Sequence, residues 1–142
     1  LGHGKHKKAV NLIVETAAQE TRLAQYRDRF PYRHGIGLCQ FDPIGFDDVK
    51  DRARAKDKKS ISKYFGIKLE KVDHRELAYS PLLSLIFCRL KYKLVRDLIP
   101  KDLEGRADYW KIFYNSRLGK GKPTEYVSNS STLIYQKRLL KK

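Results

Sequence analysis

The chain has 142 residues, which is the length of one domain and too short for two independent cores. Hydrophobic residues make up 41% and aromatics 11%, so disorder by composition is excluded despite 33% charged residues. With 31 Lys and Arg against 16 Asp and Glu, the net charge of +15 argues against a basic partner. It favours a polyanion: nucleic acid, anionic lipid or an anionic cell wall.

The first residues, Leu1-Gly2-His3-Gly4-Lys5-His6-Lys7-Lys8, read as a flexible basic tail and not as a metal site built on His3 and His6. No signal peptide is visible, and the missing initiator Met leaves export open. Residues 8–26 space Val10, Ile13, Val14, Ala17, Ala18 and Ala24 as a helix does, and Phe30-Pro31 closes the segment. Residues 31–45 hold Gly35, Gly37, Gly45 and Pro43 around Ile36, Leu38 and Phe41, which predicts a short β-hairpin or irregular loop. Asp47-Asp48 suit a helix N-terminus, and a short helix to about residue 55 is expected. Residues 56–75 read as a surface excursion with a turn of helix near 61–65.

Ser80-Pro81 is a helix start, with Ser as cap and Pro in the first turn. The run Leu82, Leu83, Leu85, Ile86, Phe87, Leu90, Leu94 predicts the most buried helix. Its longest apolar stretch, residues 82–88, falls far short of the ~20 needed to span a bilayer. Asp102 caps the next helix, which carries Leu103, Ala107, Trp110, Phe113 and Tyr114. After the loop Gly119-Lys120-Gly121-Lys122-Pro123, a last helix runs to about residue 135. Cys39 and Cys88 lack metal spacing and read as free thiols, with one disulfide left open.

The chemistry centres on a carboxylate. On a wheel of the first helix, with the apolar centre near Val10, Val14, Ala17 and Ala24, Glu15 points almost opposite, to solvent. Glu20 lies roughly 75° from that centre, on the flank of the apolar face. Partial burial and the C-terminal end of a helix dipole both favour a protonated carboxyl, which a general acid needs. The wheel alone leaves a second reading open, an edge-of-core Glu20 paired with Arg22 or Arg27.

Seventeen residues after Glu20 comes Gly37-Leu38-Cys39-Gln40-Phe41-Asp42-Pro43, and here the sequence resembles the lysozyme-like superfamily. The goose-type lysozymes and soluble lytic transglycosylases, above all their phage-encoded versions, are the nearest in pattern. They carry a catalytic Glu, usually followed by Ser, at a helix end, then a Gly-Leu-Met-Gln loop. This chain has Glu20-Thr21 and Gly37-Leu38-Cys39-Gln40. Tyr114-Asn115 is similar to the Tyr-Asn of the transglycosylase Ala-Tyr-Asn-Ala-Gly motif, and the resemblance spans residues 10–127. The departures are Thr21 for Ser, Cys39 for Met, Ser116 for Ala, and Ser80 where Asn is expected.

The resemblance implies one mainly α domain over residues 1–142, α+β lysozyme-like, with one short hairpin or loop insertion. It implies cleavage of the MurNAc–GlcNAc β-1,4 bond of peptidoglycan, with Glu20 as general acid and no metal or cofactor. Asp42 would position or activate water, or serve only as a turn or cap residue beside Pro43. Gln40 would hydrogen-bond sugar or hold its loop. Gly35 and Gly37 would admit the glycan to the backbone, or simply make a turn. Tyr79 would add a sugar contact. Tyr114 would orient Glu20, and Asn115 would fix the local turn or touch substrate. Tyr114 and Trp110 also fit as plain core aromatics.

Expected partners are peptidoglycan glycan strands and other virion or tail proteins, in a phage virion or at the bacterial envelope. Two rival functions remain: a catalytically inactive virion module of the same shape, and a basic nucleic-acid binder. Nucleic acid is disfavoured, because no helix-turn-helix, RNP, zinc, KH or Walker signature is present.

Overall fold

The computed structural model describes residues 1–2, 5–24, 35–115 and 119–136. These residues are mainly α-helical. A single 3-10 turn at Lys5–Lys7 leads into α1, Lys8–Thr21. His6 and Lys7 in this turn take left-handed backbone, with φ of 58° and 57°, while His3 and Gly4 lie outside the described residues. α1 stops earlier than its apolar spacing predicts. Arg22, Leu23 and Ala24 all take left-handed backbone, with φ of 50°, 57° and 68°. Their N–H groups close the helix end: Arg22 N–H donates to Ala18 O, Leu23 N–H to Ala17 O, and Ala24 N–H to Thr21 Oγ1. Phe30-Pro31, expected to end this helix, lies outside the described residues.

α2 is Pro43–Arg52. It begins four residues before Asp47, because Asp42 caps it and Pro43 occupies the first turn. α3 is Ala55–Phe65, closed by Gly66 at φ 66°. This is a full helix where a surface excursion with one turn is predicted. It buries only Asp57 and Ile61, so it carries almost no apolar stripe to read. Two 3-10 turns follow, Leu69–Lys71 and His74–Ala78, the second opened by an Asp73/Glu76 capping box. α4 is Pro81–Lys93, with Ser80 Oγ accepting from the Leu83 N–H at 3.1 Å. α5 is Leu103–Trp110, capped by Asp102 and widened into a π turn at Lys111–Asn115. α6 is Pro123–Ser130, with a second π turn at Ser131–Tyr135. Among the described residues no helix is long and apolar enough to cross a membrane.

The chain divides into two compact units. One comprises residues 28–94 with Leu1, and the other comprises residues 2–27 and 95–142. In the first unit, α4 is the most buried helix, as its apolar run predicts. Phe87 lies at its centre, stacked on Phe46 of α2 at 4.6 Å and edge-on to Phe41 at 5.8 Å. The buried Asp57 of α3 pairs with Lys93 of α4 at 2.7 Å. Cys39 and Cys88 are both buried and free. The expected hairpin is a tight turn closed by one antiparallel pair, Ile36 and Phe41, and no sheet forms among the described residues.

In the second unit, α1 packs on α6 and α5. Ala107, Trp110 and Tyr126 form a cluster, with Leu103, Tyr114 and Val127 against it. The buried face of α1 is not the one the wheel gives. Leu12, Glu15, Thr16, Ala17 and Ala18 are buried, whereas Val10 is 41% exposed. Glu15, expected in solvent, is 0% exposed. It is held there by Arg106, 91 residues away, and by two tyrosine hydroxyls, which compensate the loss of water.

Candidate functional site

Glu20 occupies the last turn of α1, at its carbonyl end and partly buried. Its Oε1 accepts a hydrogen bond from Trp110 Nε1 at 3.1 Å. Trp110 is 1% exposed and fixed between Tyr126, at 5.4 Å between ring centroids, and the backbone of Gly121. A Cβ at position 121 would stand 2.4 Å from the indole, so only glycine lets residues 119–122 close over the ring. The indole N–H is therefore a rigid donor aimed at Glu20. Trp110 is a core aromatic and also the partner of the carboxylate, a role the sequence reading leaves out.

Tyr114 packs against the same cluster, one turn beyond Trp110. Asn115 is linked to Gly119 through Lys111. Its Oδ1 accepts from Lys111 Nζ at 2.9 Å, and the same ammonium reaches Gly119 O at 2.6 Å. Ser116 and Arg27 lie outside the described residues. Glu20, Trp110, Tyr114 and Asn115 thus belong to the second unit.

The other residues singled out by sequence belong to the first unit. Gly37 has φ 80°, and a Cβ there would stand 2.2 Å from Leu77 O and 2.6 Å from Ser84 Oγ. The close approach it permits is to the protein's own backbone. Gln40 also takes left-handed backbone, φ 49°, and both its N–H and its Nε2 donate to Gly37 O. Asp42 is exposed, and its Oδ1 accepts the Gly45 N–H at 2.7 Å as the cap of α2. Tyr79 is 87% exposed. The His74 ring Nε2 lies 2.5 Å from Phe41 O, pinning the end of the 37–41 turn.

The same unit holds a buried polar network. Glu15 receives Arg106 Nε on Oε1 at 2.7 Å and Arg106 Nη2 on Oε2 at 2.8 Å, a two-point pairing. Tyr126 OH donates to Oε1 at 2.9 Å, and Tyr135 OH donates to Oε2. Arg106 Nη1 donates in turn to Lys101 O. Burial, and then the bond to Glu15, pushes the Tyr135 phenol up to about 12. The Glu15 carboxylate holds the Arg106 guanidinium charged, against the pull of burial. The sequence did carry one signal of this network: Glu15 is the only charged residue between positions 9 and 19.

Among the described residues no three His, Cys, Asp or Glu side chains gather as a metal site requires. The charge surplus is visible on α3, where Lys56, Lys59 and Lys63 line a surface groove with Ala55 and Ser60. Comparison with protein families, with curated proteins and with solved structures finds no match for this chain.

Proposed function

We propose that this protein cleaves the glycan backbone of peptidoglycan at the MurNAc–GlcNAc β-1,4 bond, with Glu20 as general acid. The observation that carries this is the carboxyl at the carbonyl end of α1, held through Oε1 by the buried indole of Trp110. A general acid needs a carboxyl placed at the leaving oxygen, and the end of α1 presents Glu20 as that group. The indole fixes the direction in which its proton is delivered.

In the first step the proton passes from Glu20 to the GlcNAc oxygen, and the bond to the MurNAc anomeric carbon breaks. The electron-poor sugar is then captured in one of two ways. Water adds to it, or its own 6-hydroxyl closes a 1,6-anhydro ring. In either case the oxygen that attacks gives up a proton, and Glu20 takes it back. The full proton cycle belongs to one side chain. Asp42, engaged as the α2 cap, is not required for it. The resemblance of Glu20-Thr21, Gly37-Leu38-Cys39-Gln40 and Tyr114-Asn115 to the lytic enzymes supports the same reading, and with it a place in a phage virion or at the bacterial envelope.

A second reading draws on the lysines along α3. It is a binding module that holds an anionic polymer without cutting it. Purified peptidoglycan separates the two. The enzyme releases soluble muropeptides and Glu20→Gln does not, while a binding module sediments with the wall and releases nothing.

A further inference from the structure

We propose that Glu15 and Arg106 act as a positioning pair for Glu20, setting the register of α5 along α1 so that the Trp110 indole meets the Glu20 carboxyl. As a statement about catalysis this rests on the function proposed above. As a statement about geometry it stands alone.

Two side-chain links join the same two helices. Glu15 of α1 binds Arg106 of α5 through two parallel bonds, and Glu20 of α1 binds Trp110 of α5 through one. The first pair is five residues from the second along α1 and four along α5. At a rise of 1.5 Å per residue these steps are about 7.5 and about 6 Å. They run in the same chain sense and differ by about 1.5 Å, so a slide of α5 along α1 that strains one link strains the other. The Glu15–Arg106 link is the stiffer of the two. Both partners are almost fully buried, the guanidinium fork permits one orientation, and Arg106 is anchored again at Lys101 O. The indole contributes one bond, and it ends on the carboxyl to which the chemistry is assigned. A displacement of about 1 Å at such a contact costs on the order of 100-fold in rate.

Trp110 is the only tryptophan in the chain, so its emission reports this contact directly. The full chain is titrated with pH while Trp110 fluorescence is followed, and Glu20→Gln identifies the transition that belongs to Glu20. Three variants are then compared: Glu15→Gln, Arg106→Lys, and Tyr135→Phe. Glu15→Gln is expected to move the midpoint by about half a pH unit or more, and to lower kcat on peptidoglycan about tenfold with KM held within about twofold. Arg106→Lys keeps the charge but not the fork, and is expected to fall between wild type and Glu15→Gln. Tyr135→Phe removes a bond to the same carboxylate from outside the α1–α5 link, and is expected to lower the melting temperature while the midpoint stays in place.

Glu15→Gln and Arg106→Lys proteins that melt earlier yet keep the wild-type midpoint and kcat overturn the proposal. The pair is then a stabilising contact only. If Glu15→Gln does not fold, the Arg106→Lys result decides by the same criterion. If Glu20→Gln still releases muropeptides, the glycosidase reading has failed on its own account. The fluorescence midpoints alone then decide the register claim.

Discussion

Replacing Arg106 by Met gives the sharpest test of how the second unit is held together. The substitution removes two charge-assisted bonds from a carboxylate that is 0% exposed, and leaves that charge inside the protein beside the Tyr126 and Tyr135 hydroxyls. Breaking a buried pair in this way costs about 3–5 kcal/mol. That is a large share of the ~5–15 kcal/mol by which a domain is stable. Removing both charges costs less. In Glu15→Leu combined with Arg106→Met no charge is stranded, and the residual cost is that of the Tyr126 and Tyr135 hydroxyls, which lose their bonds to Glu15. That penalty is about 1–3 kcal/mol. Adding Tyr126→Phe should recover the Tyr126 share of it. Urea unfolding followed by circular dichroism reads all three. With a slope of about 2 kcal/mol per molar, Arg106→Met lowers the midpoint by about 2 M. The reasoning is refuted if Arg106→Met costs less than about 1 kcal/mol, or if the double variant is as unstable as Arg106→Met alone.

Other consequences follow from single contacts. The Tyr135 phenol titrates at about 12 instead of 10.0, so the folded state holds its proton more tightly than the unfolded chain does. Its contribution to stability is complete below pH 10 and is lost as pH rises from 10 towards 12, and Tyr135→Phe should flatten that alkaline decline in a series of thermal melts. The Asp73 carboxyl, held below its usual value by Arg75, contributes in the opposite direction, and that contribution fades only as pH falls through the carboxylate range. Gly37→Ala forces a side chain to within 2.2 Å of a backbone carbonyl at φ 80°, and should cost more than about 1 kcal/mol in the same urea assay. Ala24 sits at φ 68° just after α1, so Ala24→Gly relieves strain and should leave the protein as stable or raise its melting temperature, whereas Ala24→Val should lower it.

The parts of the fold that were legible in sequence are those written in local chemistry. Ser80-Pro81, Asp102 and Pro123 mark helix starts because caps and first-turn prolines act within three residues of themselves. The long run after Pro81 marks the buried helix because burial on most sides leaves little room for polar residues. α3 was hidden for the opposite reason. Its one buried aliphatic side chain is Ile61, and its other buried residue, Asp57, depends on Lys93, 36 residues later. The face of α1 was misread in the same way. A wheel counts Glu15 as a solvent residue unless its partner is known, and Arg106, Tyr126 and Tyr135 lie on other helices. Around Glu20 the wheel alone leaves the carboxylate between two readings, and the resemblance of Glu20-Thr21 and Gly37-Leu38-Cys39-Gln40 is what singles it out. Trp110 could not be assigned to it, because 90 residues separate them and a tryptophan in an apolar stripe reads as core.

The general-acid role of Glu20 is the claim on which the proposed chemistry depends. Wild-type protein and Glu20→Gln are incubated with purified peptidoglycan, and the released muropeptides are weighed by mass spectrometry. The account predicts soluble fragments from the wild type, either hydrated or lighter by one water as 1,6-anhydro products, and none from the variant, with both proteins showing the same far-UV spectrum. Equal release by the folded Glu20→Gln protein contradicts it.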